Sequence, residues 1–176
     1  MQNAHKLFEA LVREHAEMLL VYLRAAIGNS SDVDDLFQET MIVAWRRLDD
    51  FDQSRPFGQW LRGIAKRLVL AHYRRQSTRP CDSVILDQLD ARVGDLAARP
   101  GDTWQEKLAL LPNCIQLLPD HFRDAVGQRY FQRQSISQLA DSLQASESAV
   151  KKRLQRARVL ILDCIQKSLT GRRVSA

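Results

Sequence analysis

The stretch Ser135 to Arg158 constrains this chain most, because it spells a short helix, a tight turn and a second, strongly basic helix in succession. Ile136, Leu139, Ala140 and Leu143 recur at helical spacing, and Ser135 with Gln138 makes a capping box, each side chain bonding the other residue's backbone amide. Gln144-Ala145-Ser146 interrupts the apolar pattern, and Ser146 is placed to cap the second helix. On that helix Val150, Leu154, Ala157 and Ile161 share one face, which leaves Ser148, Lys151, Lys152, Gln155 and Arg156 on the other. A solvated surface helix also carries lysine and arginine opposite an apolar stripe, so charge alone decides little. Two capped helices at this separation make a helix-turn-helix, whose outward residues suit the phosphates and base edges of duplex DNA.

Charge is segregated along the 176 residues, and the formal net charge of +5 conceals it. Between Ser31 and Asp52 the acids Asp32, Asp34, Asp35, Glu39, Asp49, Asp50 and Asp52 outnumber Arg46 and Arg47. No acid occurs from Gln53 to Cys81, where Arg55, Arg62, Lys66, Arg67, Arg74, Arg75 and Arg79 are interleaved with Phe57, Trp60 and Tyr73. That is the composition of a nucleic-acid surface, since aromatic faces stack bases while cations hold the backbone. Acids return from Asp82 to Glu106. A chain of this length buries one moderate core or two small ones.

Other functions find no support. Cys81, Cys114 and Cys164 lie far apart, without the paired spacing of a zinc site or a redox dithiol, and read as free thiols. His5, His15, His72 and His121 are equally scattered, so no metal or other cofactor is expected. A nucleophile–base set and a phosphate-binding glycine loop are both missing, which argues against an enzyme. The amino terminus does not lead through charge into a long apolar run, and no segment has the apolar length that crosses a bilayer. A cytoplasmic protein is expected.

The apolar periodicity predicts an all-α fold of two small helical domains. A first helix runs from about Ala4 to Ile27 and ends on Gly28 as a C-cap. A second opens on a Ser31–Asp34 capping box and buries Val33, Leu36, Phe37, Thr40, Ala44 and Leu48, leaving Asp34, Asp35, Gln38, Glu39 and Ile42 outside. A third starts near Pro56 and turns Leu61, Ile64, Ala65, Leu68 and Ala71 inward. Residues 79–101, punctuated by Pro80, Gly94, Pro100 and Gly101, form a linker with a short helix near Ser83 to Leu96, so that the domains are residues 1–78 and 102–176. Pro112 must kink or break a helix over Thr103 to Leu118, and Pro119 restarts the chain into a helix from Asp120 to Phe131.

These residues resemble the sigma-70 family of bacterial transcription initiation factors, and within it the small extracytoplasmic-function (ECF) group. Asp34-Asp35-Leu36-Phe37-Gln38-Glu39-Thr40, followed by Ala44-Trp45 and Phe51, is similar to regions 2.1 to 2.2 of such factors. Phe57-x-x-Trp60-Leu61-x-x-Ile64-Ala65 resembles region 2.3, and His72 to Arg79 corresponds in position to region 2.4. Leu117-Leu118-Pro119, Arg129-Tyr130-Phe131 and the helix-turn-helix look like region 4. The match covers nearly the whole chain, and two domains joined by a variable linker is the ECF arrangement.

The resemblance implies a non-catalytic factor that binds core RNA polymerase, directs it to promoters through minus-ten and minus-thirty-five elements, and aids melting. It assigns Asp35, Gln38, Glu39 and Ile42 to the clamp helices of the polymerase beta-prime subunit, with the beta flap as a second contact. For the melted minus-ten strand it implies Phe57, Trp60, Arg62, Lys66, Arg67, Arg74 and Arg75, with the loop Asp52 to Gly58 holding flipped bases. Trp60 also fits the core, where large aromatics at helical spacing usually sit. Arg67 and Ala71 stand where the family often has asparagine and aspartate. For the minus-thirty-five duplex it implies Ser148, Lys151, Lys152, Arg153, Gln155 and Arg156, with Arg158 available to a phosphate. It also implies an anti-sigma factor as regulatory partner. Apart from the resemblance, the helix-turn-helix fits an operator-binding regulator that never engages polymerase, although the N-terminal half has no alternating strands of a receiver.

Overall fold

The computed structural model describes residues 2–76 and 82–174, and the chain divides into two compact units, Met1–Cys81 and Asp82–Ala176. The described residues are helical, turn or loop, and no helix among them is long and apolar enough to cross a membrane.

In the first unit α1 (Gln2–Ile27), α2 (Ser30–Arg46) and α3 (Phe57–Arg75) pack pairwise against one another. Leu19, Tyr22, Leu23 and Ala26 of α1 meet Val33, Leu36, Thr40 and Ala44 of α2 and Leu61, Ile64, Ala65 and Val69 of α3 in the core. Thr40 is tolerated there because its hydroxyl donates to the Leu36 carbonyl at 2.6 Å. Gly28 ends α1 at φ 76°, a left-handed conformation that glycine adopts without steric cost. The predicted Ser31–Asp34 capping box does not form. The helix begins at Ser30, with extended Asn29 at its cap position, and the Asn29 amide donates to Asp32 at 2.9 Å. The far ends are tied by Tyr73, whose hydroxyl donates to the Ala26 carbonyl at 2.8 Å, and by His72 facing Asp32 at 3.6 Å.

The second unit is built on one long helix. α4 (Ser83–Ala98), α5 (Trp104–Leu108), α6 (Leu111–Gln116), α7 (Asp120–Val126) and α8 (Ile136–Ser142) all pack on α9 (Glu147–Val174). The helix read as part of a linker is core: Ile85, Leu86, Leu89, Val93 and Leu96 of α4 are buried. Its last carbonyls are satisfied by Lys107, whose buried ammonium donates to Leu96 O at 2.6 Å and Arg99 O at 3.4 Å. Pro112 lies in the first turn of α6, so the expected break falls between α5 and α6. α7 runs into a π-helical turn, Gly127–Phe131.

A further expectation is overturned. Cys114 on α6 and Cys164 on α9 form a disulfide, with Cα atoms 5.7 Å apart. Reading all three cysteines as free thiols failed because 50 residues separate this pair, and only the docking of α6 on α9 brings them together. Cys81 lies outside the described residues.

Candidate nucleic-acid interface

In the first unit a concave site forms where the end of α2, the loop after it and α3 converge. Asp52 accepts from the Ser54 amide at 3.0 Å while Arg55 N–H donates to the Asp52 carbonyl at 3.0 Å, which fixes the loop before extended Pro56 starts α3. The Ser54 hydrogen bonds hold the Asp52 carboxyl below the usual carboxylate range. α3 then approaches α1 closely: a Cβ at Gly58 would lie 3.1 Å from His15 Nδ1 and 3.2 Å from Met18 Cε, so a larger residue would have to displace those side chains by a few tenths of an ångström. Behind the loop Phe51, Phe57 and Trp60 form a ring cluster with centroids 5.1 to 5.4 Å apart. In front lies a cavity of about 320 Å³ lined by Arg47, Asp50, Arg55, Gln59, Trp60, Gly63, Ile64 and Arg67.

Trp60 therefore occupies both positions left open by the sequence, since its ring packs on two phenylalanines and also walls the cavity. Arg67 is exposed at the cavity, Arg74 and Arg75 are exposed further along α3, and Lys66 is half-buried. Two expected contact residues are not at the surface. Phe57 is 6% exposed and belongs to the ring cluster, and Arg62 is 7% exposed with a guanidinium nitrogen 3.5 Å from Met18 Sδ. Helical phase explains both, because positions 57, 58, 61, 62, 64, 65 and 69 all turn inward on α3. Arg47, Asp50 and Gln59 were missed as cavity residues. Arg47 and Asp50 belong to the acidic block or its edge, and nothing in their spacing announces that a 3₁₀ turn at Leu48–Asp50 folds them back over α3.

In the second unit the helix-turn-helix forms as the capping pattern demands. Ser135 Oγ accepts from Gln138 N at 3.1 Å and Gln138 Oε1 accepts from Ser135 N at 2.9 Å. The turn passes through Gln144 at φ 49°, and Ser146 Oγ accepts from Ala149 N at 3.2 Å at the start of α9. Ala149, Lys152, Arg156 and Leu160 are exposed along α9, with Ser148, Lys151 and Arg153 half-buried beside them. Gln155 is a third correction, since it is 5% exposed and lies beside Leu154 in the buried part of the helix. The predicted face was rotated by about one residue toward the core. Arg158 is engaged with Tyr130, donating to its hydroxyl from Nε at 3.0 Å and Nη2 at 2.6 Å, which occupies it within its own unit.

Two further surfaces expose large apolar side chains among polar ones. On α2, Asp35 and Gln38 are exposed and Glu39 half-buried, in line with Ile42 at 51% and Trp45 at 43% exposure. In the second unit Leu117 and Phe131 are 75% and 72% exposed, and Phe131 borders a groove with Ile115, Gln116, Arg123, Asp124, Gly127, Gln128 and Gln132. Among the described residues, no cluster of histidine, cysteine or carboxylate side chains could hold a metal ion.

The described residues are helical and present a helix-turn-helix in one unit and an arginine-lined aromatic cavity in the other, an arrangement that suits a DNA-binding factor with more than one surface. Residues 11–79 match the Sigma-70 region 2 family model and residues 108–161 match Sigma-70, region 4. RNA polymerase sigma factor CnrH of Cupriavidus metallidurans is 31% identical over 157 residues, covering 86% of this chain and 82% of that protein. ECF RNA polymerase sigma factor BldN of Streptomyces coelicolor is 29% identical over 147 residues, or 82% of this chain, which spans about half (54%) of BldN. The solved structure of CnrH in complex with the cytosolic domain of CnrY aligns at a TM-score of 0.38 with 26% identity, covering 89% of this chain and 86% of that one. This chain belongs to the sigma-70 family, in its ECF group.

Proposed function

We propose that the chain is a transcription initiation factor that binds core RNA polymerase, carries it to specific promoters and helps to open them. The observation that carries this reading is a pair of basic surfaces of opposite shape on separate units: a concave, aromatic-walled cavity beside α3 and a convex ridge on α9. An unstacked base needs a pocket with a ring to lie on, whereas a duplex needs a ridge that enters its major groove. Trp60 with Lys66, Arg67, Arg74 and Arg75 holds the melted non-template strand of the minus-ten element, and Arg55 of the loop, with Arg47 and Gln59, completes that pocket. Ser148, Lys151, Lys152, Arg153 and Arg156 hold the minus-thirty-five duplex, with Lys152 and Arg156 deepest. Phe57, Arg62 and Gln155 support these surfaces from beneath.

Asp35, Gln38, Glu39 and Ile42, extended by Trp45, offer a half-acidic, half-apolar strip to the beta-prime clamp helices. The groove beside Phe131 takes an apolar segment of the beta flap. An anti-sigma factor would act by covering one or more of these surfaces. The polymerase does the chemistry, so the factor works in the cytoplasm without a cofactor or catalytic centre of its own.

Run-off transcription with core polymerase and a promoter library tests the proposal. The expected outcome is factor-dependent starts that share two upstream elements; a regulator that only occupies an operator would give no product.

A further inference from the structure

The disulfide that sequence spacing concealed ties one of the short helices of the second unit, α6, to its longest helix, α9. Its 50-residue span encloses α7, the π-helical turn, α8 and the stretch of α9 that carries Lys152 and Arg156. The two halves are unequally placed: Cys114 is 1% exposed, while Cys164 is half-buried. α6 is six residues long with a proline in its first turn, too short to persist without tertiary support. It rests on α9 through the bridge and apolar contacts, while Ile115 and Gln116 on the same helix line the groove beside Phe131.

We propose that the Cys114–Cys164 bond is a reversible redox site, cleaved by a dithiol reductant, that governs whether α6 stays docked on α9. The inference rests on the promoter reading in one respect. A chain that works on polymerase lives among thiol pools that keep dithiols reduced, and protein disulfides found there are mostly transient, sensing or catalytic. A reductant thiolate attacks Cys164 Sγ, on the less buried of the two residues; the S–S bond breaks, a mixed disulfide forms, and Cys114 leaves as a thiolate that takes up a proton. The reductant's second thiolate then displaces Cys164. Two electrons and two protons have passed to the protein, and the reductant ends as a disulfide. Untied, α6 retains its apolar contacts and the hydrogen bond that the Arg123 guanidinium donates to the Gln116 carbonyl at 3.1 Å, and the groove wall of Ile115 and Gln116 loosens with it.

The test uses the full chain carrying Cys81→Ser, equilibrated across dithiothreitol buffers of graded potential. Free thiols are counted by alkylation and mass spectrometry, and amide exchange is followed over residues 111–116. Expected is a transition from no free thiol to two, with exchange in that segment accelerating at least about tenfold and the thermal midpoint falling by roughly 10 °C or more. A Cys114→Ala/Cys164→Ala variant should match the reduced protein in every buffer; if it does not fold, the reduced parent supplies the same comparison. Two free thiols at every potential would overturn the proposal, as would cleavage that leaves exchange in 111–116 unchanged. Absence of run-off activity at every potential alongside an intact thiol transition would count against the promoter reading alone.

Discussion

The two basic surfaces are made from the same residue types and differ in how many elements supply them. Beside α3, Arg47 comes from the end of α2, Arg55 from the loop and Arg67 from α3, and they converge around Trp60 on a cavity of about 320 Å³. On α9 a single helix supplies Lys152 and Arg156, which diverge from a common axis. Convergence shelters an apolar ring from water and so rewards a base that has left its stack. Divergence shelters nothing, and gains affinity only when DNA brings its own groove walls and phosphates. Shape therefore decides function as much as charge does.

The sharpest way to break this comparison is to remove the ridge. Lys152→Ala with Arg156→Ala should weaken binding of the upstream duplex by about 10- to 100-fold and reduce the slope of log affinity against log salt by about 2. Binding of a single-stranded minus-ten oligonucleotide to the same variant should stay unchanged. A preserved salt slope, measured by anisotropy titration, would mean that the ridge is not the grip on phosphate.

A somewhat smaller effect is expected from filling the cavity. Gly63 lines it, and a Cβ there meets no atom within 4 Å. Gly63→Leu should accordingly start its side chain from an unobstructed Cβ and project into the cavity, while stabilising α3 by about 0.5–1 kcal/mol through helix propensity. Strand binding should fall about tenfold, the scale of one stacked base. A variant that melts higher and yet binds the strand normally would show that the cavity is not a base pocket. Trp60→Ala should give a similar binding loss, but it also removes ring contacts with Phe51 and Phe57, so its effect on folding must be measured beside it.

The two surfaces also differ in how far they could be read in the sequence. Local chemistry was legible: the Ser135–Gln138 box, the Ser146 cap, the Gly28 stop and the break at Pro112 each depend on residues within one turn of each other. Helical phase was legible to within about one residue, enough to turn Val150, Leu154 and Ala157 inward but not to place Gln155. Contacts between distant elements were not legible. Arg47 and Asp50 reach the cavity only through the 3₁₀ turn, α4 is core only because α9 is long enough to receive it, and Cys114 meets Cys164 only after α6 docks. The ridge lies on one helix and so was mostly found; the cavity draws on three segments and was half found.

Gln155 sharpens the same point with a smaller effect. Being buried, it should matter to stability and not to recognition, so Gln155→Leu should leave duplex affinity within about threefold and change folding stability by about 1 kcal/mol in either direction. A tenfold loss of affinity in a stably folded variant would return Gln155 to the recognition face.

The smallest expected effect separates the units by acid sensitivity. In the first, burial lowers the pKa of His15, which packs 5.5 Å from the Phe57 ring beside the cavity. The unfolded chain then binds a proton more readily than the folded one, so the stability tied to neutral His15 is complete above the ordinary histidine value of 6.5 and declines as pH falls through the depressed one. In the second unit two of the depressed groups are carboxylates. Asp163 is held down first by its hydrogen bond from Lys167, then by the charges of Lys167 and Arg92, and Glu106 by hydrogen bonds from the Thr103 backbone and hydroxyl. Their contribution is complete above the ordinary carboxylate range and is lost only below it. Burial lowers the pKa of Lys107 as well, but the corresponding change lies on the alkaline side, where stability rises as pH approaches the ordinary lysine value. Amide exchange tracked from pH 7 to pH 5 should therefore show protection around Phe57 and Gly58 declining while the contact of α4 with α9 holds. Simultaneous loosening of both units across that interval would remove His15 as the source of the difference.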